Sequence, residues 1–161
     1  MLVPCAWLVE VFRESGVTVP LRAVPWGIDP QDWYPLDRSG HTGPYTFLWS
    51  GTPDNRKGWD LAYRAFIAAF GGQNPDVRLV LHFREIPRGI TGAGDANVTV
   101  IGGLLPRAEL RGLLHQADCF VFPSRGEGWG LPPREAAATG LPVIATAWGG
   151  LAVEIEQWGI P

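Results

Sequence analysis

The sequence predicts an α/β fold, a doubly wound parallel sheet. Three observations carry that expectation. Stretches with strand character alternate with stretches of helical periodicity along the chain. The strand cores are nearly all apolar, as expected when both faces of a sheet are covered. Loops that follow the strands hold glycines, at 102–103, 126–130 and 149–150, and sheets of this class bind ligands at the carboxyl ends of their strands, beside a switch in strand order.

Taken in order, residues 6–15 have helical spacing, with Trp7, Leu8, Val11 and Phe12 on one side and Gly16 as the stop. A short strand at 21–25 leads into Val24-Pro25-Trp26-Gly27-Ile28-Asp29, and 30–44 is a polar, proline-bearing loop. Residues 45–50 form an apolar strand, 51–55 a turn, and 58–70 a helix that buries Trp59, Ala62, Tyr63, Phe66 and Phe70 before Gly71-Gly72 ends it. A strand at 77–83 is followed by a Gly/Pro-rich loop at 84–96 and a strand at 98–101 broken by Gly102-Gly103. A helix at 106–116 starts at a proline, where a missing N–H costs nothing. Then come a strand at 118–122, a helix at 132–139 closed by Gly140, a strand at 142–146 and a last helix at 151–157. The loops at 51–58, 84–90, 102–105, 124–131 and 147–150 all follow strands and should converge on one edge.

Length favours one domain, and a chain of 161 residues can bury roughly 70% of its unfolded surface. A net charge of −3 argues against a nucleic-acid partner. No apolar run approaches the ~20 residues of a membrane helix. The start of the chain lacks a basic segment followed by an apolar core, so no secretion signal is expected. Cys5 and Cys119 are in no C-x-x-C pair and read as free thiols, which points to a cytoplasmic setting. His41 reads as a loop residue, and His82 and His115 as structural. There is no Asp-x-Asp pair, so neither metal nor other cofactor is expected. Lys57 is the only lysine among the 13 Lys and Arg residues, which invites a specific role.

The segment 120–146 reads as buried strand, glycine-rich loop, helix start and second buried strand. Backbone N–H groups at a helix N-terminus are unpaired and partly positive, so Gly130 and Leu131 can meet an anion there. Gly126, Gly128 and Gly130 allow sharp turning and close ligand approach. Two carboxylates, Glu127 and Glu135, bracket this loop with seven residues between them.

Residue by residue, Glu127-Gly128-Trp129-Gly130-Leu131-Pro132-Pro133-Arg134-Glu135-Ala136 resembles the nucleotide-sugar site of retaining glycosyltransferases of the GT-B fold, the group 1 (family four) class. Their signature is Glu-Gly-Phe-Gly-Leu-Pro-x-x-Glu-Ala, with Trp129 standing here for the commoner Phe and counted, like the glycines around it, among the substrate-binding residues. The Val24–Asp29 turn, Lys57-Gly58 and Gly149-Gly150 with Glu154 also match. The resemblance spans nearly the whole chain and implies a Rossmann-like donor-binding domain, one half of a GT-B fold. Residues 1–16 would then be the tail of a preceding acceptor domain or a lead-in helix, and 17–161 the donor domain, incomplete at its C-terminus. An acceptor domain or partner chain would supply the rest.

The resemblance further implies roles. Glu135 accepts hydrogen bonds from ribose hydroxyls, and Glu127 contacts the transferred sugar near the reacting face. Lys57 faces the diphosphate, where an ammonium stabilises charge growing on the leaving nucleotide. Gly103 and Leu104 lie where the base rests against backbone, and Gly149-Gly150 approaches the sugar or phosphate while Glu154 caps a helix. The pattern departs after Gly51: Thr52 stands where the family often has Arg, with Arg56 a substitute that could reach around. The implied activity is metal-independent transfer of a hexose from a nucleotide sugar with retention. A non-catalytic nucleotide-sugar binding domain is the alternative. A dinucleotide oxidoreductase is more remote, since Gly92-Ala93-Gly94 does not continue as Gly-x-Gly-x-x-Gly, and Lys57 lacks the Gly-Lys-Ser/Thr frame of a P-loop.

Overall fold

The computed structural model describes residues 1–88, 90 and 94–160. Its centre is a five-stranded, all-parallel sheet in the order β5-β4-β3-β6-β7. The strands are β3 (Tyr45–Gly51), β4 (Val77–Phe83), β5 (Val98–Gly102), β6 (Cys119–Phe122) and β7 (Val143–Ala145). Helix α2 (Trp59–Phe70) joins β3 to β4, α3 (Arg107–His115) joins β5 to β6, and α4 (Leu131–Ala138) joins β6 to β7. Right-handed crossovers then put α2 on one face and α3 and α4 on the other. The doubly wound expectation therefore holds. The nearest stretch to a dinucleotide fingerprint includes Gly92 and Ala93, which lie outside the described residues.

Covered faces explain the apolar strands. Leu48, Trp49, Leu79, Leu81, Phe83, Phe120 and Phe122 are all almost fully buried. The Trp49 and Phe83 rings meet at 5.1 Å between centroids, and Trp59 closes edge-on over Phe83 at 5.6 Å. Phe70 was expected inside but is 38% exposed: at the end of α2 it packs along the sheet rim on Phe47 and Phe66 instead.

Ahead of the sheet, β1 (Leu2–Val3) and β2 (Arg22–Ala23) pair in parallel around α1 (Ala6–Glu14). The strand expected over 21–25 is cut to two exposed residues because this small sheet has only two strands. Helix α1 leans on the carboxyl edge of the large sheet: the Trp7 ring and Leu8 stand within 3.2 Å of where side chains at Gly149 and Gly128 would begin.

The end of the chain corrects one expectation. Residues 151–157 are not one helix but a 3-10 turn at Gly149–Leu151 and a short α5 (Ile155–Trp158). Glu154 breaks it, with φ of 56°, the one positive φ outside glycine among the described residues. The cause is visible in the hydrogen bonds. The Val153 carbonyl accepts from Arg134 and from the Trp158 indole, and the Gln157 amide turns to Glu154. Glu154 makes no side-chain cap.

Candidate functional site

The strand order reverses between β3 and β6, since β4 and β5 lie to one side and β7 to the other. The loops leaving β3 and β6 flank that switch, where an open parallel sheet leaves a crevice. One carries Lys57 and the other Glu127.

The β3 loop is built around Asp54. One of its oxygens caps the Lys57 amide at 3.1 Å, and the other accepts the Thr52 hydroxyl at 2.6 Å. A 3-10 turn at Asn55–Lys57 follows, and Gly58 closes it in the left-handed region, φ 73°. Only glycine fits there: a Cβ would stand 2.0 Å from the Pro123 carbonyl oxygen. The two loops are thus pressed backbone to backbone. The Arg56 carbonyl accepts from the Arg125 amide at 2.7 Å and the Ser124 hydroxyl at 3.0 Å, and the Trp49 indole holds the Lys57 carbonyl.

Three donors converge on one oxygen of Glu127. Lys57 Nζ lies 2.6 Å from Oε1, Arg56 Nη1 3.0 Å, and Ser124 Oγ 3.2 Å. The second carboxylate oxygen takes no hydrogen bond among the described residues. Arg56 also donates to the Gly126 carbonyl at 2.7 Å, so it does reach around from the turn, while Thr52 serves Asp54. Gly51 lies under the Lys57 side chain. Arg125, alongside, forks onto Asp60 at 2.8 Å through both terminal nitrogens and holds that carboxyl down at about 2. Ser124 and the Arg125–Asp60 pair were not singled out from sequence. A serine three residues before Glu127, at a strand end, was the available signal.

From Glu127 to Leu131 no amide donates to another described residue, while the Gly126 amide meets Ser124. Helix α4 starts at Leu131, one residue earlier than expected, with Gly130 in the left-handed region as its N-cap. Pro132 and Pro133 remove two of the donors a helix start normally presents. The anion-binding capacity here therefore resides in the loop amides more than in the helix. Trp129 turns inward: it is 6% exposed, and its indole donates to the Trp26 carbonyl at 3.1 Å.

Glu135 sits in a separate electrostatic neighbourhood. Because α4 starts at Leu131, Glu135 is its fifth residue, just past the first turn. Burial pushes its carboxyl up; Arg107 and Arg84 oppose the rise, Asp32 adds to it, and the Trp33 indole counters it. Arg107 is itself paired with Asp32. The two glutamates thus share no cation: Glu127 is loaded by Lys57 and Arg56, and Glu135 faces α3 and the 29–36 segment.

At the other rim, the Gly103 carbonyl accepts from the buried His82 at 2.9 Å, and His82 takes the Ser50 hydroxyl on its other nitrogen at 2.8 Å. This ties the β5 loop to β4 and β3 and leaves Leu104 76% exposed. No hydrogen bond joins Gly103 or Leu104 to the Lys57–Glu127 cluster. Gly150 approaches the β6 loop itself: its amide donates to the Glu127 carbonyl at 2.9 Å, and a Cβ would be 2.1 Å from the Gly128 oxygen. Among the described residues, no helix is long and apolar enough to cross a membrane.

Comparison with known proteins places this geometry. Residues 44–159 match the family of glycosyl transferases group 1. Glycogen synthase of Mycobacterium tuberculosis is 34% identical over 130 residues, 78% of this chain and 31% of its own length. Mannosylfructose-phosphate synthase of Agrobacterium fabrum is 26% identical over 152 residues, 81% of this chain and 33% of its own. The solved structure of sucrose-phosphate synthase from Thermosynechococcus elongatus superposes with a TM-score of 0.80 at 26% identity, over 99% of this chain and 44% of that one. The chain spans about a third of the length of the curated relatives it matches. With that match running from the first strand of the large sheet to its last helix, the chain belongs to the group 1 glycosyl transferases.

Proposed function

We propose that this chain binds the donor of a glycosyl transfer, a nucleoside-diphosphate sugar, and that the whole protein passes the sugar on with retention of configuration. One observation carries the reading: Lys57, Arg56 and Ser124 converge on Glu127 at the crevice between β3 and β6. Two cations beside unengaged loop amides suit a diphosphate. A carboxylate with one oxygen still available suits sugar hydroxyls. Glu135, held apart, suits the ribose. The charge is met by protein groups alone, so neither metal nor other cofactor enters the proposal. The related synthases named above transfer sugars, which supports the class of reaction. An acceptor domain, or a partner chain, belongs to the proposal because the matched region makes up only 31–33% of these relatives' length. A cytoplasmic setting belongs to it too, supported by the two buried free thiols.

A donor-binding domain without turnover is a second reading. It is favoured by Thr52, whose hydroxyl is committed to Asp54 where the family often places a cation.

Thermal shift against UDP, GDP, ADP and their hexose conjugates tests donor binding. Ligand at about 100 times its Kd adds about 2.7 kcal/mol, and a domain of this size should then melt about 5–10 °C higher. A flat response to the entire panel overturns the proposal. Product anomeric configuration, measured by NMR on the whole protein, decides retention, and turnover separates the two readings.

A further inference from the structure

Arg134 on α4 makes contacts that none of the roles above uses. Its guanidinium lies between two indoles, 3.8 Å from the Trp129 ring centre and 4.6 Å from that of Trp158. It donates to three carbonyls from two stretches of chain: Nε to Trp129 at 3.3 Å, and Nη2 to Gly150 at 3.1 Å and Val153 at 2.9 Å. It forms no ion pair among the described residues.

An unpaired, part-buried cation is a costly way to fill space between two tryptophans, and an apolar side chain of similar length would pack there more cheaply. The fork places donors at two points at once, Nε toward Trp129 and Nη2 toward Gly150 and Val153; the single nitrogen of a lysine cannot stand at both. The carbonyls matter because of where they lead. Gly150, held by Arg134 through its carbonyl, gives its amide to the Glu127 carbonyl at 2.9 Å. Trp129, held in the same way, is two residues from Glu127 on the other side of Gly128. Arg134 therefore grips the Glu127 loop from both ends without touching the crevice.

We infer that Arg134 is a positioning residue that fixes Glu127 for the sugar half of the donor. This rests on the donor-binding reading. Because Arg134 acts through the Glu127–Trp129 stretch and has no hydrogen bond to Lys57, Arg56 or Glu135, its loss falls more heavily on the sugar than on the nucleotide.

The test is calorimetric titration of the chain and its Arg134→Lys variant with UDP, GDP and ADP and with UDP-glucose, GDP-mannose and ADP-glucose. In Arg134→Lys, affinity for the nucleoside diphosphate that binds stays within about twofold, and affinity for its sugar conjugate falls about tenfold, the scale typical of outer-shell partners. Equal losses for both ligands, or none for either, overturn the assignment. Failure of the parent chain to bind any of the six overturns the donor reading itself, which keeps the two failures distinct. Should Arg134→Lys not fold, Arg134→Met, which keeps the length of the stem between the two indoles and removes every donor, must give the same sugar-selective loss. Hydrogen exchange gives a ligand-free readout: the Gly150 amide exchanges faster in Arg134→Lys while amides of β3 and β4 are unchanged, and unchanged protection at Gly150 overturns the inference.

Discussion

The Lys57 ammonium lies 2.6 Å from the Glu127 carboxylate across 70 residues of sequence, and both side chains are largely shielded from solvent. The cation proposed for a diphosphate is thus paired with the acid proposed for the sugar. A dianionic ligand has to draw Lys57 and Arg56 away from Glu127, or share them.

This competition gives opposite signs to two substitutions. Lys57→Ala removes a charge-assisted contact worth about 1.5–3 kcal/mol, partly offset because no Lys57–Glu127 pair then has to be broken, so diphosphate affinity should fall about tenfold. Nucleosides without phosphate should be unaffected. Glu127→Gln leaves Lys57 uncommitted, so a bare nucleoside diphosphate should bind several-fold tighter while any sugar transfer by the whole protein falls. Titration with UDP, GDP and ADP at two salt concentrations reads both. Weaker diphosphate binding in Glu127→Gln would show that the acid and the phosphate do not compete.

Gly58 is required twice over, by its φ of 73° and by the Pro123 carbonyl standing 2.0 Å from where a Cβ would sit. Gly58→Ala must therefore part the two loops that bring Lys57 to Glu127. A loss of more than about 2 kcal/mol is expected, from left-handed strain and the clash together, and with it a fall in Tm of about 5 °C or more. Gly40→Ala is the control, since its Cβ meets open space at an ordinary φ. Equal melting of the two variants would remove the packing argument.

Most of the fold was legible because the strands are largely apolar and separated by stretches that hold glycine or proline; the 77–83 strand has the same bounds in sequence and structure. The last helix was not legible. Its break depends on the Arg134 and Trp158 side chains capturing the Val153 carbonyl, a contact no local pattern announces. At the site, spacing and resemblance picked out Glu127, Lys57 and Arg56 separately. Their meeting on one oxygen depends on Gly58 lying against Pro123, a pairing of loops 65 residues apart that only the sheet order brings about. Trp129 shows the converse. An aromatic residue inside the motif reads as ligand-facing, yet its indole is spent on Trp26.

Arg38 was silent in the sequence and holds two helix ends together. It donates to the Thr139 carbonyl at 2.7 Å and hydroxyl at 3.2 Å, at the end of α4, and to the Leu114 carbonyl at 3.2 Å, in the last turn of α3. A cation suits both ends because each carries unpaired carbonyls and partial negative charge. Arg38→Met keeps the stem and removes every donor, so urea denaturation should show a loss of about 2–3 kcal/mol. Donor binding should be untouched. A stability unchanged within about 0.5 kcal/mol would show that water caps these helices as well.

Glu135 ties stability to function through pH. Burial raises its carboxyl pKa in the folded chain, so folding binds that proton more tightly than the unfolded chain does. The stabilisation is complete below the unfolded value and is lost as pH rises through the folded one. Above that range an ionised carboxylate here is a cost the fold carries, and Glu135→Gln, which is never charged, should melt higher there. That advantage should shrink toward pH 4.5. The comparison belongs above pH 4, because Asp60 has the opposite sign: Arg125 and Arg64 hold it at about 2, and its contribution is lost only in stronger acid. The same substitution exchanges an acceptor of two hydroxyls for an amide with one acceptor oxygen, so ribonucleotide affinity should fall about tenfold. Selectivity over the 2′-deoxynucleotide should fall with it. A carboxylate kept in a dry place to grip a ribose predicts both effects together, higher Tm and weaker binding. A variant that melts higher across pH 5–8 but still prefers the ribonucleotide would leave Glu135 buried for reasons other than the ligand.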